Sequence, residues 1–391
     1  MKRILIVMPD LKSGGAERSL VNFLTECDEK RYKIDLLLFR KSGDFLKQIP
    51  QFVNVIEPDK LTRDLFAMGQ KIGLAPKIIK YVGSGVGKIC SPCHWDKGRQ
   101  IRWNAVYRHF IPVLKRKYDV AIAYLEGEAT YYVADKVIAD KKICWFHSDY
   151  SKLKYSTIFD RRVFKKMRWI ATISDECVDI MRAKFPTLKE KIIKIENITS
   201  ERVILKRAEE VADDAYENND NTLRLLSIGR LVPEKGFDLA VAAAAILKKK
   251  GVNFKWNIIG EGPKEKELKL LAREMRVEDS VKFLGIRENP YPYIKQCDIV
   301  VQTSRFEGKS IVLDEAKIMK KPIVVTNYST VHDQIIAGKE GMIVEISSEA
   351  IADGIIRMYQ NNEERTVIID FLNQNNYGNS YVVNKYYKVI D

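Results

Sequence analysis

The chain has 391 residues, 46% hydrophobic and 30% charged, enough apolar material for two ordinary cores. Its 66 Lys and Arg against 52 Asp and Glu leave a net charge of +14, which points to an acidic partner such as nucleic acid, anionic lipid or a phosphorylated substrate. No apolar run reaches the length of a membrane span, and the six scattered cysteines argue against a disulfide framework and for a reducing compartment.

The sequence opens on an apolar run, 3–8, that predicts a strand with no signal peptide before it, and hence a cytoplasmic protein. Gly14 and Gly15 follow it and allow close backbone approach, which suits a phosphate contact, although turns after strands often need glycine. They are not a dinucleotide fingerprint, since G-x-G-x-x-G is absent. Further strands are predicted at 34–39, 120–124, 142–145 and 169–173, with helices between them, giving an α/β first domain over residues 1–199.

Two motifs in this half are decoys. Gly83-Ser84-Gly85-Val86-Gly87-Lys88 resembles a phosphate loop, but Val82 stands where the first glycine belongs and Ile89 where a hydroxyl should hold magnesium. Cys90-Ser91-Pro92-Cys93-His94 matches a haem attachment pattern without the export that attachment requires. Two basic segments, 97–117 and 152–168, interleave Arg99, Arg102, Arg161 and Lys166 with Trp103, Tyr107, Phe159 and Phe164. Such composition suits a helix lying on an anionic membrane; it equally suits aromatics packed inward under a solvated basic face. No nucleic-acid module accompanies the charge, so nucleic acid is not expected as a partner. His147 follows the 142–145 strand, at the end where crevices form; a lone histidine is more often structural.

The acidic, Asn-rich stretch 209–221 reads as a linker with an exposed end, after which β-α alternation restarts with a strand at 223–228, a helix at 237–250 and a strand at 255–259. The restart predicts a second doubly wound domain over 200–376, and residues 377–391 are expected to return as a helix to the first domain. Arg230 and Lys235 lie in the loop beyond the 223–228 strand, where two cations could meet the charge of a departing diphosphate. A strand at 298–302 leads through a loop to a helix running from its N-cap Ser310 to Lys320, stopped by Pro322. The start of that helix favours a bound diphosphate. Glu307 in the loop could accept from sugar hydroxyls and Glu315 from a ribose diol; the plainer alternative is that Asp314 and Glu315 only complement the helix dipole.

The segment Glu307-Gly308-Lys309-Ser310-Ile311-Val312-Leu313-Asp314-Glu315 resembles the E-x7-E signature of the family 4 retaining glycosyltransferases. In family order, Ser227-Ile228-Gly229-Arg230-Leu231-Val232-Pro233-Glu234-Lys235-Gly236, Ile258-Ile259-Gly260-Glu261-Gly262-Pro263 and Val281-Lys282-Phe283-Leu284-Gly285 resemble its other strand-loop segments, so the likeness covers roughly 222–345. Over the first 200 residues it rests on Ser13-Gly14-Gly15-Ala16-Glu17-Arg18 and Trp145-Phe146-His147. The resemblance implies a GT-B fold, two doubly wound Rossmann-like domains facing across a cleft, with the acceptor on the first and the donor on the second. It implies transfer of a hexosyl or N-acetylhexosaminyl group, with retention, from a nucleoside-diphosphate sugar to a hydroxyl of a lipid-linked oligosaccharide or other glycan. Such a protein would use no cofactor or metal, and no Asp-x-Asp pair is present to hold one. It would work in the cytoplasm, with peripheral contact to the inner face of the membrane through the basic first domain. By this resemblance Glu307, Arg230, Lys235 and His147 are catalytic, and Glu315, Gly308, Lys309, Ser310, Ile311, Gly15 and Arg287 contact the donor. Many members carry Gly-Phe-Gly where this chain has Gly308-Lys309-Ser310, so a Cβ at Ser310 stands in the backbone's approach and Lys309 adds a cation. A non-catalytic nucleotide-sugar-binding subunit and a sugar-nucleotide epimerase on the same fold are the alternatives.

Overall fold

The computed structural model describes residues 1–12, 14–69, 71–92, 94–212, 214–216, 222–307 and 309–391. The chain divides into two units, residues 1–198 with 380–391, and residues 199–379.

Unit 1 is built on a parallel sheet of β1 (Lys2–Met8), β2 (Tyr32–Leu38), β3 (Asn54–Ile56), β4 (Leu114–Ala123), β5 (Val137–Phe146), β6 (Trp169–Thr172) and β7 (Ile192–Lys194), in the order β3-β2-β1-β4-β5-β6-β7. Successive side chains of β1 enter different cores, Ile4, Ile6 and Met8 on one face and Leu5 and Val7 on the other. A strand covered on both faces needs apolar residues throughout, which is why it reads as an unbroken run. β4 and β5 begin earlier than their apolar cores predict. The amino-terminal half of β4, including Lys115 to Lys117, stays exposed beyond the covering helices and so lacks a hydrophobic signal. β3 and β7, three residues each, are too short to show a period.

The phosphate-loop decoy lies inside the helix Leu74–Cys90. Gly83 and Gly87, one turn apart, face the helix Trp95–Arg102; a Cβ on Gly87 would come within 2.8 Å of the Gly98 carbonyl oxygen. Cys93 falls outside the described residues. In the two basic segments most of the large apolar side chains pack inward: Trp103, Tyr107, Phe164 and Met167 are buried, while Phe110 is exposed. Arg99 and Arg102 pair with buried Glu128, and Arg162 and Lys166 with Asp135. The helix Val383–Ile390 belongs to unit 1, where Tyr386 stacks on Phe23 and Trp145 at ring separations of 4.5 and 4.8 Å and meets the Tyr124 hydroxyl at 2.8 Å.

Unit 2 carries β8 (Leu223–Ile228), β9 (Phe254–Ile259), β10 (Val281–Gly285), β11 (Ile299–Gln302), β12 (Ile323–Thr326) and β13 (Met342–Val344), all parallel, in the order β10-β9-β8-β11-β12-β13. Its strands also serve two cores, as Leu225 and Leu226 or Val300 and Val301 show by entering opposite clusters. The expected linker differs from its reading. Residues 213 and 217–221 lie outside the described ones, but Ala215 is buried and the Tyr216 hydroxyl donates to the Leu225 carbonyl at 2.7 Å, so this part is tied to the sheet rather than exposed. Among the described residues no helix is long and apolar enough to cross a membrane.

Candidate functional site

In unit 2 the strand order reverses at β8, whose neighbours are β9 on one side and β11 on the other. Loops leaving the carboxyl ends of β8 and β11 therefore diverge, and such a switch point opens a crevice. The β8 loop contains Arg230 and Lys235; the β11 loop contains Glu307 and Ser310. Gly236 has φ +63°, and a Cβ there would strike the Thr303 carbonyl, so only glycine lets the two loops come this close. They are stitched by the Thr303 hydroxyl donating to the Lys235 carbonyl at 3.0 Å and by Arg305 N–H donating to the Glu234 carbonyl at 2.8 Å. The Arg305 guanidinium adds two bonds to Asp238.

On this frame the Lys235 ammonium pairs directly with Glu307 Oε1, which also accepts from the Ser304 hydroxyl at 2.9 Å. The Glu307 carbonyl in turn accepts from the Thr330 hydroxyl at 2.9 Å. Two side chains expected to serve different parts of a ligand thus hold one another. Arg230 is exposed, and among the described residues no side-chain hydrogen bond or ion pair engages its guanidinium. Behind the β8 loop, Gly260 at φ +140° lies against Gly229, and the turn bonds Leu231 N–H to the Glu261 carbonyl at 2.9 Å. This backing accounts for the glycines of the 258–263 segment.

Several expected contacts are placed otherwise. Ser310 precedes the helix Ile311–Ile318, but its hydroxyl does not cap it. It donates instead to Gln302 Oε1 at 2.6 Å, because the polar end of β11 offers a buried acceptor on that side. The helix stops at Ile318 rather than Lys320, which takes a left-handed φ of 57° ahead of Pro322. Glu315 sits beyond the first turn, 1% exposed, and accepts from the Tyr291 hydroxyl at 3.2 Å. Lys309 is exposed and lies 3.2 Å from Asp314. Ile311 is the first helical residue. Arg287 pairs with Asp214 of the linker and donates to the Tyr293 hydroxyl at 2.8 Å, so its guanidinium straps the linker to the unit. Gly308 lies outside the described residues.

Sequence reasoning missed Gln334. Its side chain clamps Ser310, accepting from that residue's N–H at 2.7 Å and donating to its carbonyl at 3.0 Å. Nearby, the Lys317 ammonium donates to the Gln334 carbonyl at 2.7 Å, fixing the helix against the segment that carries the clamp. No local pattern could announce a pairing across 24 positions.

In unit 1 the order reverses at β1, between β2 and β4. Gly15 opens the helix Gly15–Glu26 beyond β1, and His147 follows β5. The Tyr124 carbonyl accepts from His147 Nε2 at 3.0 Å, so the proton sits on Nε2 of the neutral ring and the buried Nδ1 keeps its acceptor lone pair. Burial holds the imidazole below its ordinary pKa against the opposing pull of Glu126. Glu126 accepts from His147 N–H at 3.1 Å and from the Ser148 hydroxyl at 2.5 Å. Burial, with Asp10 and Glu126 adding repulsion, raises the Glu17 carboxyl. Asp149 serves its own turn, accepting from Ser151 N–H at 2.8 Å. Among the described residues no group of three His, Cys, Asp or Glu side chains is placed to hold a metal ion.

Residues 209–371 match the family "Glycosyl transferases group 1". The chain is 33% identical over 143 residues to the N-acetylgalactosamine-N,N'-diacetylbacillosaminyl-diphospho-undecaprenol 4-alpha-N-acetylgalactosaminyltransferase of Campylobacter jejuni, an alignment spanning 36% of this chain and 38% of that protein. It is 25% identical to the alpha-D-kanosaminyltransferase of Streptomyces kanamyceticus over 81% of this chain and 87% of that one. Among solved structures, HepE of Anabaena in complex with UDP and glucose superposes with a TM-score of 0.65 at 17% identity, covering 99% of this chain and 98% of HepE. A glycosyltransferase of Rickettsia africae does so at 0.66 and 16%, covering 100% of this chain and 97% of that one. At those identities the structural likeness speaks for the fold, which is that of the GT-B glycosyltransferases. Within two doubly wound units of the GT-B class, residues 209–371 therefore match the glycosyl transferases group 1 family.

Proposed function

We propose that the protein transfers a sugar from a nucleoside-diphosphate sugar to a hydroxyl of a lipid-linked oligosaccharide or related glycan, with retention at the anomeric carbon. The observation that carries this reading is the Lys235–Glu307 pair at the switch point of unit 2, inside the segment matched to the family. A donor diphosphate exchanges its own charge for the carboxylate's at Lys235, and the released Glu307 turns to the sugar hydroxyls. Arg230 adds a second cation from the same loop. As the glycosidic bond breaks, negative charge grows on the departing diphosphate, and cations held in place before the reaction stabilise it without reorganising. No metal ion is then needed for that charge. The names of the relatives in Campylobacter jejuni and Streptomyces kanamyceticus support sugar transfer as the activity, and the first supports a lipid-diphosphate acceptor. The acceptor is assigned to unit 1, where neutral His147 offers an acceptor nitrogen suited to a hydroxyl.

Calorimetric titration with UDP- and GDP-sugars tests the donor half. One of them should bind, and Lys235→Ala should weaken it by about 1.5–3 kcal/mol, or about 10–100-fold, as expected for a charge-assisted bond. Glu307→Ala should leave affinity nearer the wild type while lowering turnover by about 100–1,000-fold. Failure of every nucleotide sugar to bind, or a Lys235→Ala variant indistinguishable from the parent, would overturn the assignment.

A further inference from the structure

At the amino-terminal edge of the unit 2 sheet, where β8, β11 and β12 begin, lies a cavity of about 470 Å³. Arg224, Asp298, Lys320, Lys321 and Arg365 line it, with Tyr359 and Ile369 among its apolar walls. The strands run parallel, so the loops that carry Arg230, Lys235 and Glu307 leave the opposite edge, beyond the 6 residues of β8 or roughly 20 Å away. A ligand seated in those loops does not reach this cavity.

The charge of the cavity is unbalanced. Asp298, the carboxylate among its lining residues, is taken by Arg224, accepting from its backbone N–H at 2.8 Å and from its guanidinium at 2.8 and 3.2 Å. Lys320, Lys321 and Arg365 pair with no carboxylate among the described residues. Oxygens of uncharged groups hold them instead. The Lys320 ammonium donates to the Leu372 and Asn375 carbonyls, both at 2.8 Å, and that of Lys321 to the Lys295 and Cys297 carbonyls at 2.6 and 2.9 Å. Arg365 donates to the Tyr359 carbonyl at 2.8 Å and to Asn362 Oδ1 at 2.6 Å. Such bonds finish helix ends and fix where the cations stand, but they leave the positive charge uncompensated. Two bonds exhaust neither an ammonium nor a guanidinium, so each group keeps an N–H to donate. Lys320 moreover takes a left-handed φ of 57°, a conformation that suits glycine, so the chain keeps this cation at the cost of backbone strain.

We propose that this cavity is a second ligand site, which takes a small organic phosphate such as a sugar phosphate or a nucleotide. Three fixed cations without counter-ions match the charge of a phosphate ester and present it with donors already in place. The volume is that of a small-molecule site and far exceeds what a bare phosphate fills. Tyr359, 40% exposed, offers the organic part of such a ligand a ring face. The site is independent of the sugar-transfer reading, which concerns the opposite edge of the sheet.

Calorimetric titration of the full chain with glucose 6-phosphate, AMP and inorganic phosphate tests the assignment. At least one of the two organic phosphates should bind, more tightly than inorganic phosphate, and should raise the melting temperature as its concentration increases. Arg365→Ala and, separately, Lys320→Gly should each weaken that ligand by about tenfold or more, as loss of a charge-assisted bond does. Glycine takes the left-handed φ freely, so Lys320→Gly preserves the backbone while removing the cation. Lys235→Ala, in the loops at the other edge, should leave the affinity at the parent value. The inference fails if neither organic phosphate binds, if inorganic phosphate binds as tightly as they do, or if both cavity variants bind like the parent. It also fails if Lys235→Ala is the variant that releases the ligand, since the binding would then belong to the donor loops.

Discussion

At the switch point of unit 2 opposite charges are paired, Lys235 against Glu307, and the β8 loop also carries Arg230; at that of unit 1, burial drives His147 and Glu17 toward their neutral forms. The sheets are of one kind, parallel and covered on both faces, so topology does not make the difference. Depth does. The Lys235 and Glu307 side chains keep 24 and 11% exposure and so stay partly wet, whereas Glu17 and His147 are shifted by burial. An ionic pair in partial contact with water can be exchanged for a charged ligand at small cost, while a buried neutral acceptor is suited to an uncharged hydroxyl. One architecture thus yields a place for an anion and a place for an alcohol.

That contrast can be tested from the core outward. Tyr386→Ala removes a buried ring from unit 1 and should cost about 3–5 kcal/mol there. Differential scanning calorimetry should show the unit 1 transition lowered and the unit 2 transition in place; a shift of both together would deny the units separate stability. Gln334→Leu should cost about 1–3 kcal/mol in unit 2, since it strips a buried N–H and a buried carbonyl of Ser310 of their partners. Hydrogen exchange should then quicken at the start of the Ile311–Ile318 helix, and unchanged protection would mean that the clamp is not what fixes it.

A third effect concerns protons. Asp160, buried in unit 1 beneath Tyr150, Gln100 and Tyr131, has its carboxyl pushed up to about 7 by that burial, from 3.8. Between those values the folded chain holds a proton that the unfolded chain has lost. Stability from this group is therefore present at low pH and is lost as pH rises through the folded value, by up to about 1.4 kcal/mol per pH unit. Urea unfolding of the wild type and Asp160→Asn across that range should show the wild type losing ground to the variant as pH rises. His147 titrates with the opposite sign but is common to both proteins and cancels. Parallel pH profiles would return Asp160 to the ionised state.

Much of unit 2 is legible in sequence because its ligand-facing loops constrain the backbone as well as the chemistry. Gly236 and Gly260 are demanded by positive φ; Gly236 directly follows Lys235 and Gly260 lies against Gly229 next to Arg230, so each leaves a recognisable string. The long-range partners are not legible in that way. The strap from Arg287 to Asp214 spans 73 positions, and nothing near Arg287 distinguishes a strap from a ligand contact. Ser310 misled for a related reason: local rules offer it the helix amides, while the fold offers it Gln302. In unit 1 the helix Leu74–Cys90 was obscured by its own glycines, which weaken a helix by about 1 kcal/mol each and so read as a loop. Its neighbour Trp95–Arg102 supplies the close contact that repays them.

The return of residues 380–391 to unit 1 has a consequence for how the molecule is made. Unit 2 is spliced into unit 1 in chain order, so a ribosome completes the whole of unit 2 before it delivers Tyr386 to the ring stack it shares with Phe23 and Trp145. The half that begins first matures last, and until then its nascent sheet keeps an unfilled slot beside the helix Gly15–Glu26.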